Sequence, residues 1–525
     1  MVLVAPHAAV AQDTQPRLVV HIVVSSMRAN DLVRYTNGFG DGGFKRLMRE
    51  GVTFTDAEYD YALTTTESGL ATLATGAQPS VHGVIGSSWW SHIDNSCQKL
   101  IVDSKSQPVP FSTGTISCSA YRLHAPTLGD MVLEADDLSK QVTVAIEPTS
   151  AIILNGKRGV PYWVEHNKTY WTTSAAFADK LPVWVDYYNT HNMNNIHRMR
   201  RWTPVRDITQ YRNCEVAVVE GIKGRATKLL SGIDLTLDDT AYGRMCYTPV
   251  GNTMLLKFAA QVVAQGELGT DEHTDVLNIC LDTPRYIAMT YGIESIEYED
   301  MLYRLDATLA EFLTYIYAQA GGKDNVVVVL TSDHGTAPSY NPQGGAERER
   351  FNHRQMEVIV NAFLGAHHGT GNYVLGYANN ALYLNQDLII SKKLSVEVIQ
   401  EEVATFLLQL RGVSTAISAT ALRNTSFSEG RMRLVQQSFF ATRSGDVVID
   451  FMPGWMVESN DYRSTSNAGY RYDRSVPLII SGGGIAPQRI ERTVSIVEVA
   501  PTLANIIGVE SPWASSSRPI KEINN

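Results

Sequence analysis

The sequence predicts an α/β fold: a central, mostly parallel sheet flanked by helices and carrying cap-like insertions. Three observations predict it. Five short runs rich in Val, Ile and Leu, at 18–24, 142–146, 276–281, 326–330 and 476–480, are apolar almost throughout instead of alternating, as strands covered on both faces are. A long amphipathic stretch, 299–318, comes directly before one of them, and helix-then-strand order is the logic of layered α/β domains, whose sites collect at the carboxyl ends of strands. The 525 residues, 44% hydrophobic and 19% charged, are enough for one large core domain with insertions.

In chain order, residues 1–11 are apolar and close on Ala9-Val10-Ala11 before Gln12, the small-residue pattern of a signal peptidase site without its basic flank. They read as the remnant of a signal peptide, and the protein is expected in the periplasm or cell envelope. No later run is long and apolar enough to span a bilayer. The domain proper is expected over 17–523. After strand 142–146 an excursion over about 152–269, rich in Tyr, Trp, Asn and Arg, is expected to cap the sheet edge; its aromatic clusters suit cap-core packing, a substrate pocket or an interface. In 299–318, Leu302, Leu305, Leu309, Phe312, Leu313 and Ile316 share one face, and Gly321-Gly322 stop the helix before strand 326–330. A second excursion covers about 338–472. SVPLIISGGG and IVEVAPTLANIIG then return to the core, and the last dozen residues, being polar, are expected to be loosely held.

The net charge of -10 and the lack of a dense Lys/Arg run argue against nucleic acid or an anionic membrane as partner. Five cysteines are too few for a disulfide scaffold, but in an exported protein Cys97 with Cys118 and Cys214 with Cys246 are plausible couples, leaving Cys280 as a buried thiol within a strand.

Taken in order, VVSSMRAND, DYALTTTESGLATLATGAQPSVHG, LTSDHGTAP, SVPLIISGGG and VEVAPTLANIIG resemble the alkaline phosphatase superfamily, most closely the bacterial periplasmic PafA-type phosphatases and their phosphodiesterase/nucleotide pyrophosphatase relatives. The resemblance implies an alkaline-phosphatase-like fold and a centre of two zinc ions about 4 Å apart, clamping the attacking and leaving oxygens of an in-line phosphoryl transfer. It also implies six carboxylate and imidazole ligands and a Thr or Ser nucleophile. Thr66 stands at the nucleophile position, and Asp333 and His334 match metal ligands. Elsewhere the correspondence fails: Ser25 stands where the first strand should end in Asp, and Arg285 and Met289 stand where D-Y-x-G-H supplies Asp and His. Ser466 stands at the last histidine, Ser87 at the phosphate-orienting Asn, and Glu147 and Thr149 at the phosphate-binding Lys and Arg. A shifted alignment does not restore the imidazoles, because no histidine lies between His273 and His334 and none follows His368. Asp282 is three positions from the expected Asp, a displacement of roughly 10 Å along a strand.

Two ligands plus a neutral hydroxyl fall short of the three protein ligands usual for catalytic zinc. The sequence-based expectation is therefore a catalytically impaired pseudo-phosphatase with no cofactor, acting by binding an envelope protein or a small anionic ligand. The alternative is a zinc-dependent phosphomonoesterase or phosphodiesterase using Thr66. Arg285 and Glu147 exchange the charges of the family site, so Arg285 is expected to pair with Asp333, Glu147 or both. Blander readings accompany these: Thr66 as a helix cap, Asp333-His334 as a structural pair, His82 as a structural histidine, His367-His368 as an exposed loop and Glu498 as a fold element.

Overall fold

The computed structural model describes residues 15–106, 117–165, 170–192, 202–213, 245–246, 248–339, 350–457 and 462–523. The expected signal remnant at 1–11 lies outside them. Nine strands form the main sheet: β1 Leu18–Val24, β2 Gly51–Glu58, β3 Gln141–Ala145, β4 Val160–Glu165, β5 Tyr170–Thr172, β6 Asp275–Leu281, β7 Val326–Thr331, β12 Ser475–Gly482 and β13 Gln488–Ser495. Their spatial order is β13-β2-β12-β7-β1-β6-β3-β4-β5. Strand β1 pairs in parallel with both β6 and β7, and every residue of the three is buried. That explains their unbroken apolar sequences. Alternate residues of β1 enter different cores, Leu18, Val20, Ile22 and Val24 on one face and Val19 and Val23 on the other.

The chain leaves β1 toward β2 on one side of the sheet and later crosses to β3 on the other, so the carboxyl end of β1 is a topological switch point. Strand β12 runs antiparallel to β2 and β7, which brings its start to that same edge. Helix α1 (Thr66–Thr75) follows the loop after β2, α2 (Pro148–Asn155) follows β3 and α4 (Thr283–Tyr291) follows β6. Four segments thus deliver side chains to one rim.

Residues 152–269 do more than cap the edge. They supply β4 and β5 of the main sheet and helix α3 (Val250–Gly266), which packs against α5 (Ile296–Gln319). The aromatic clusters of this region pack inward: Trp171 stacks on Phe258 at 3.9 Å, with Tyr162, Trp184 and Tyr188 around the same ring. Buried carboxylates of α5 pin the 202–213 segment. Asp300 accepts from Trp202 Nε1 at 2.7 Å, the Val205 amide at 2.8 Å and the Tyr211 hydroxyl, and Glu299 accepts from the amides of Arg212 and Asn213.

The second excursion builds its own antiparallel sheet, in the order β8 (Val374–Ala378), β9 (Ala381–Leu384), β11 (Val447–Phe451), β10 (Val413–Ser418), with α6 (His353–His368), α7 (Val396–Leu407) and a separate core. His367 and His368 end α6 and do not form a loop; His368 Nε2 sits 2.7 Å from Glu402.

Two further expectations are corrected. The polar tail is held, because Ile520 is fully buried, the Ser516 amide bonds Gly76 and Arg492 pairs with Glu498 and Glu522. Cys97 is an exposed free thiol and does not join Cys118, while Cys214 lies outside the described residues; Cys280 is buried in β6 as expected. Helix α8 (Val499–Ile506) follows Glu498, whose carboxylate accepts from the Ser495 amide and serves the fold.

Candidate functional site

At the switch point the residue after β1 is Ser25, and β7 is followed by Ser332, Asp333 and His334, all buried. The Asp333 carboxylate is fully engaged by its own loops. Oδ2 accepts from the Ser25 hydroxyl at 2.7 Å, and Oδ1 accepts from the amides of Ser26 and His334, each at 2.9 Å. Ser26 takes φ 67° to present that amide. Burial pushes the Asp333 pKa up, but His334, the Ser25 hydroxyl, the Ser26 amide and Arg285 outweigh it and hold the carboxyl below its ordinary value. Asp333 is therefore an ionised brace between the tips of β1 and β7.

Thr66 is the first residue of α1. The expected capping role falls to its neighbour: Thr65 accepts from the Ser68 amide, and Ser68 returns a bond to the Thr65 amide. The Thr66 hydroxyl is thereby free to point elsewhere, and it lies 3.1 Å from His334 Nε2. His334 Nδ1 is 2.6 Å from the Gly335 carbonyl, which only accepts, so Nδ1 carries a hydrogen, and Nε2 stands 3.1 Å from the Thr66 hydroxyl and 3.5 Å from Asp333 Oδ2.

The approach of α1 to this loop depends on Gly69. A Cβ there would sit 1.8 Å from the Asp333 carbonyl oxygen, so only glycine lets the helix come close enough for Thr66 to reach His334. Tyr59 adds a brace, donating to the Ser332 carbonyl at 2.8 Å.

A cleft of about 210 Å³ opens above this pair, lined by Thr66, His334, Arg285, Glu67 and a wall of hydroxyls that includes Ser464 and Ser466. It is smaller than the roughly 300–1,000 Å³ of pockets that enclose drug-sized ligands, and suits a phosphoryl-sized group. Thr66, His334, Arg285 and Ser466 are thus brought together, whereas Asp333, Glu147, Thr149 and Ser87 do not line the cleft. His82 is elsewhere and structural: its Nδ1 accepts from the Val84 amide, and burial drives its pKa down to about 3.

The expected pairing of Arg285 with Asp333 or Glu147 is not formed. Arg285 Nη2 lies 3.7 Å from Asp282 Oδ1, and Glu147 accepts from the Tyr286 hydroxyl. Burial alone would lower the Arg285 pKa, but Tyr286, Asp282, Glu147 and Asp333 raise it, so the guanidinium stays charged. Asp282, which the sequence placed too far along the chain to replace the missing Asp ligand, braces the start of α2: it accepts from the amides of Ile146 and Glu147 at 3.0 Å and from the Ser150 hydroxyl at 2.7 Å. Burial pushes its carboxyl up to about 6.

Zinc is the ion that the resemblance implies, and these donors do not fit a pair of zinc ions. The Asp333 oxygens face serine and backbone donors, the cleft wall carries a guanidinium, and among the described residues its carboxylate is Glu67 alone. Among the described residues, no three His, Cys, Asp or Glu side chains are grouped so as to hold a metal ion.

The chain is similar to known proteins over nearly its whole length. The chain is 28% identical over 517 residues to the alkaline phosphatase PafA of Elizabethkingia meningoseptica, covering 97% of this chain and 94% of that protein. It is 26% identical over 520 residues to the alkaline phosphatase PhoV of Synechococcus elongatus, covering 97% and 93%. The crystal structure of wild-type PafA superposes with a TM-score of 0.87 at 26% identity, covering 97% of this chain and 99% of that one. These full-length relatives, named as alkaline phosphatases, overturn the expectation of a non-catalytic binding protein. Where the ligand count falls short, the Thr66 hydroxyl and the His334 imidazole remain in contact at 3.1 Å. The family model for type I phosphodiesterase / nucleotide pyrophosphatase matches residues 19–471, and the chain belongs to that family, within the alkaline phosphatase superfamily.

Proposed function

We propose that this chain is an exported phosphoric ester hydrolase, acting on phosphomonoesters or phosphodiesters with Thr66 as the nucleophile. One observation carries the reading: Thr66 Oγ1 stands 3.1 Å from His334 Nε2, and both line the cleft. Thr66 Oγ1 attacks phosphorus as its proton passes to Nε2, the bond from phosphorus to the leaving alkoxide oxygen breaks, and that oxygen takes a proton. Water then attacks phosphorus, the threonine oxygen leaves and regains a proton from that water, and phosphate is released from a monoester or the remaining monoester from a diester. The relatives named as alkaline phosphatases support the reaction class. The Ala9-Val10-Ala11 pattern supports export, and no described helix is long and apolar enough to cross a membrane.

The test is turnover of p-nitrophenyl phosphate and bis(p-nitrophenyl) phosphate by wild type, Thr66→Ala and Thr66→Ser, with and without added zinc. Wild-type turnover should exceed Thr66→Ala by about 100-fold or more, with Thr66→Ser partly active. Wild-type rates no higher than Thr66→Ala on both esters, under both conditions, would refute the proposal.

A further inference from the structure

The disagreement between the donor set and a zinc pair has a chemical sequel. A phosphoryl group carries negative oxygens, and a site that holds one must supply positive charge or hydrogen-bond donors. Among the described residues, the permanent cation on the cleft wall is Arg285, and most of the other lining groups are neutral hydroxyls of serine and threonine. Arg285 is loosely paired: its nearest carboxylate oxygen among the described residues is 3.7 Å from Nη2, its guanidinium carbon lies 5.1 Å from the Tyr286 ring centroid, and its Nε is buried without a hydrogen-bond partner among the described residues. The Asp282 carboxylate beside it is already saturated by two amides and a hydroxyl. A guanidinium whose Nη2 makes only a 3.7 Å ion pair, on the wall of a small cavity lined by hydroxyls, is complementary to a tetrahedral oxyanion. Glu67 is the opposing charge on the wall, so selectivity would favour a ligand whose charge is concentrated at Arg285.

We infer that the cleft binds a phosphate-like oxyanion on the Arg285 guanidinium and the surrounding hydroxyls without a resident metal ion. This rests on the phosphoryl-transfer reading of the same cleft and names what holds the transferred group there. Arg285 contacts the non-bridging oxygens, next to the attacking Thr66 hydroxyl; the cation is part of the chain.

The experiment uses inorganic phosphate and orthovanadate as probes. Their binding is measured by calorimetry on full-length protein whose metal content is determined before and after chelation, for wild type, Arg285→Lys, Arg285→Met and Thr66→Ala. The expected result is phosphate binding that survives chelation without zinc, weakens about tenfold or more in Arg285→Met, and weakens less in Thr66→Ala, which removes one of the lining hydroxyls. Arg285→Lys keeps the charge but not the fork and should fall between; melting temperatures report whether each variant is folded, and Arg285→Lys decides the matter if Arg285→Met is not. Loss of binding on chelation with recovery on adding zinc would overturn the inference, as would binding unchanged in both arginine variants or no binding at all. Thr66-dependent turnover is scored separately. Turnover that requires zinc sinks this inference and leaves the hydrolase reading intact, whereas metal-free, Arg285-dependent phosphate binding without turnover does the reverse.

Discussion

Replacing Gly69 with alanine should uncouple the nucleophile from its base. The added Cβ would lie 1.8 Å from the Asp333 carbonyl oxygen, against a relaxed carbon-to-oxygen contact of about 3.3 Å, so roughly 1.5 Å must be recovered by moving α1 off the β7 loop. Neither side yields easily: the obstacle is main chain, and Asp333 is braced by Ser25, Ser26 and its own following amide. A displacement of that size carries Thr66 Oγ1, now 3.1 Å from Nε2, out of hydrogen-bond reach. Overpacking of this kind costs about 2–3 kcal/mol of stability, and a misplacement near 1 Å in a reacting pair costs on the order of 100-fold in rate. The assay is urea unfolding followed by circular dichroism, together with p-nitrophenyl phosphate turnover. Gly365→Ala is the control, because a Cβ there meets nothing within 4 Å in the interior of α6. It should be neutral or stabilising by up to about 1 kcal/mol. Gly69→Ala with wild-type stability and wild-type turnover would refute the argument that this close approach positions Thr66.

Thr65→Ala removes the cap of α1 and should cost about 1 kcal/mol in urea unfolding while sparing the Thr66 hydroxyl itself. Asp300→Ala leaves Trp202 Nε1 and the Val205 amide without their acceptor and should cost about 3 kcal/mol, with faster limited proteolysis within 202–213. Asp473 is fully buried, and burial pushes its carboxyl up to about 8 despite the Ala468 and Gly469 amides and Arg431. The folded state therefore keeps a proton that the unfolded chain releases near pH 4, so this group's contribution to stability falls as pH rises through the window between about 4 and 8. Asp473→Asn removes that dependence, and its urea midpoint relative to wild type should improve by about 1 kcal/mol or more between pH 5 and pH 8. An unchanged difference across that range would show that Asp473 is not protonated in the fold.

The sheet was legible where burial on both faces left no choice of residue: β1, β6, β7 and the return strand β12 are all apolar runs, and α5 announced itself by its 3.6-residue stripe. Strands β2 and β13 were missed because their burial is mixed, and β4 because Pro161, Tyr162 and Trp163 read as irregular chain. In the site, Thr66, Asp333 and His334 were found through the family resemblance. Three hydroxyls in a row at Thr64-Thr65-Thr66 could not reveal which one caps the helix. The need for glycine at 69 arises from a backbone 264 positions away in the chain, at Asp333, and nothing local encodes it. Arg285 was expected to pair with Asp333 or Glu147, but its nearest acid among the described residues is Asp282, whose own acceptor bonds to the 146–150 segment could not be read from the sequence.

The position of β1 at the middle of the sheet sets a schedule for biosynthesis. His21 and its partner Asn278 meet at 2.6 Å across 257 positions of chain. At about 5–20 residues per second, β1 waits roughly 13–50 s after emerging before its neighbour exists. Seven consecutive buried residues without a partner are an aggregation hazard for that interval, and a chaperone or prompt translocation has to shield them. The imidazole and amide in mid-strand then select the correct alignment, because a slip by one residue would leave both buried without an acceptor or donor.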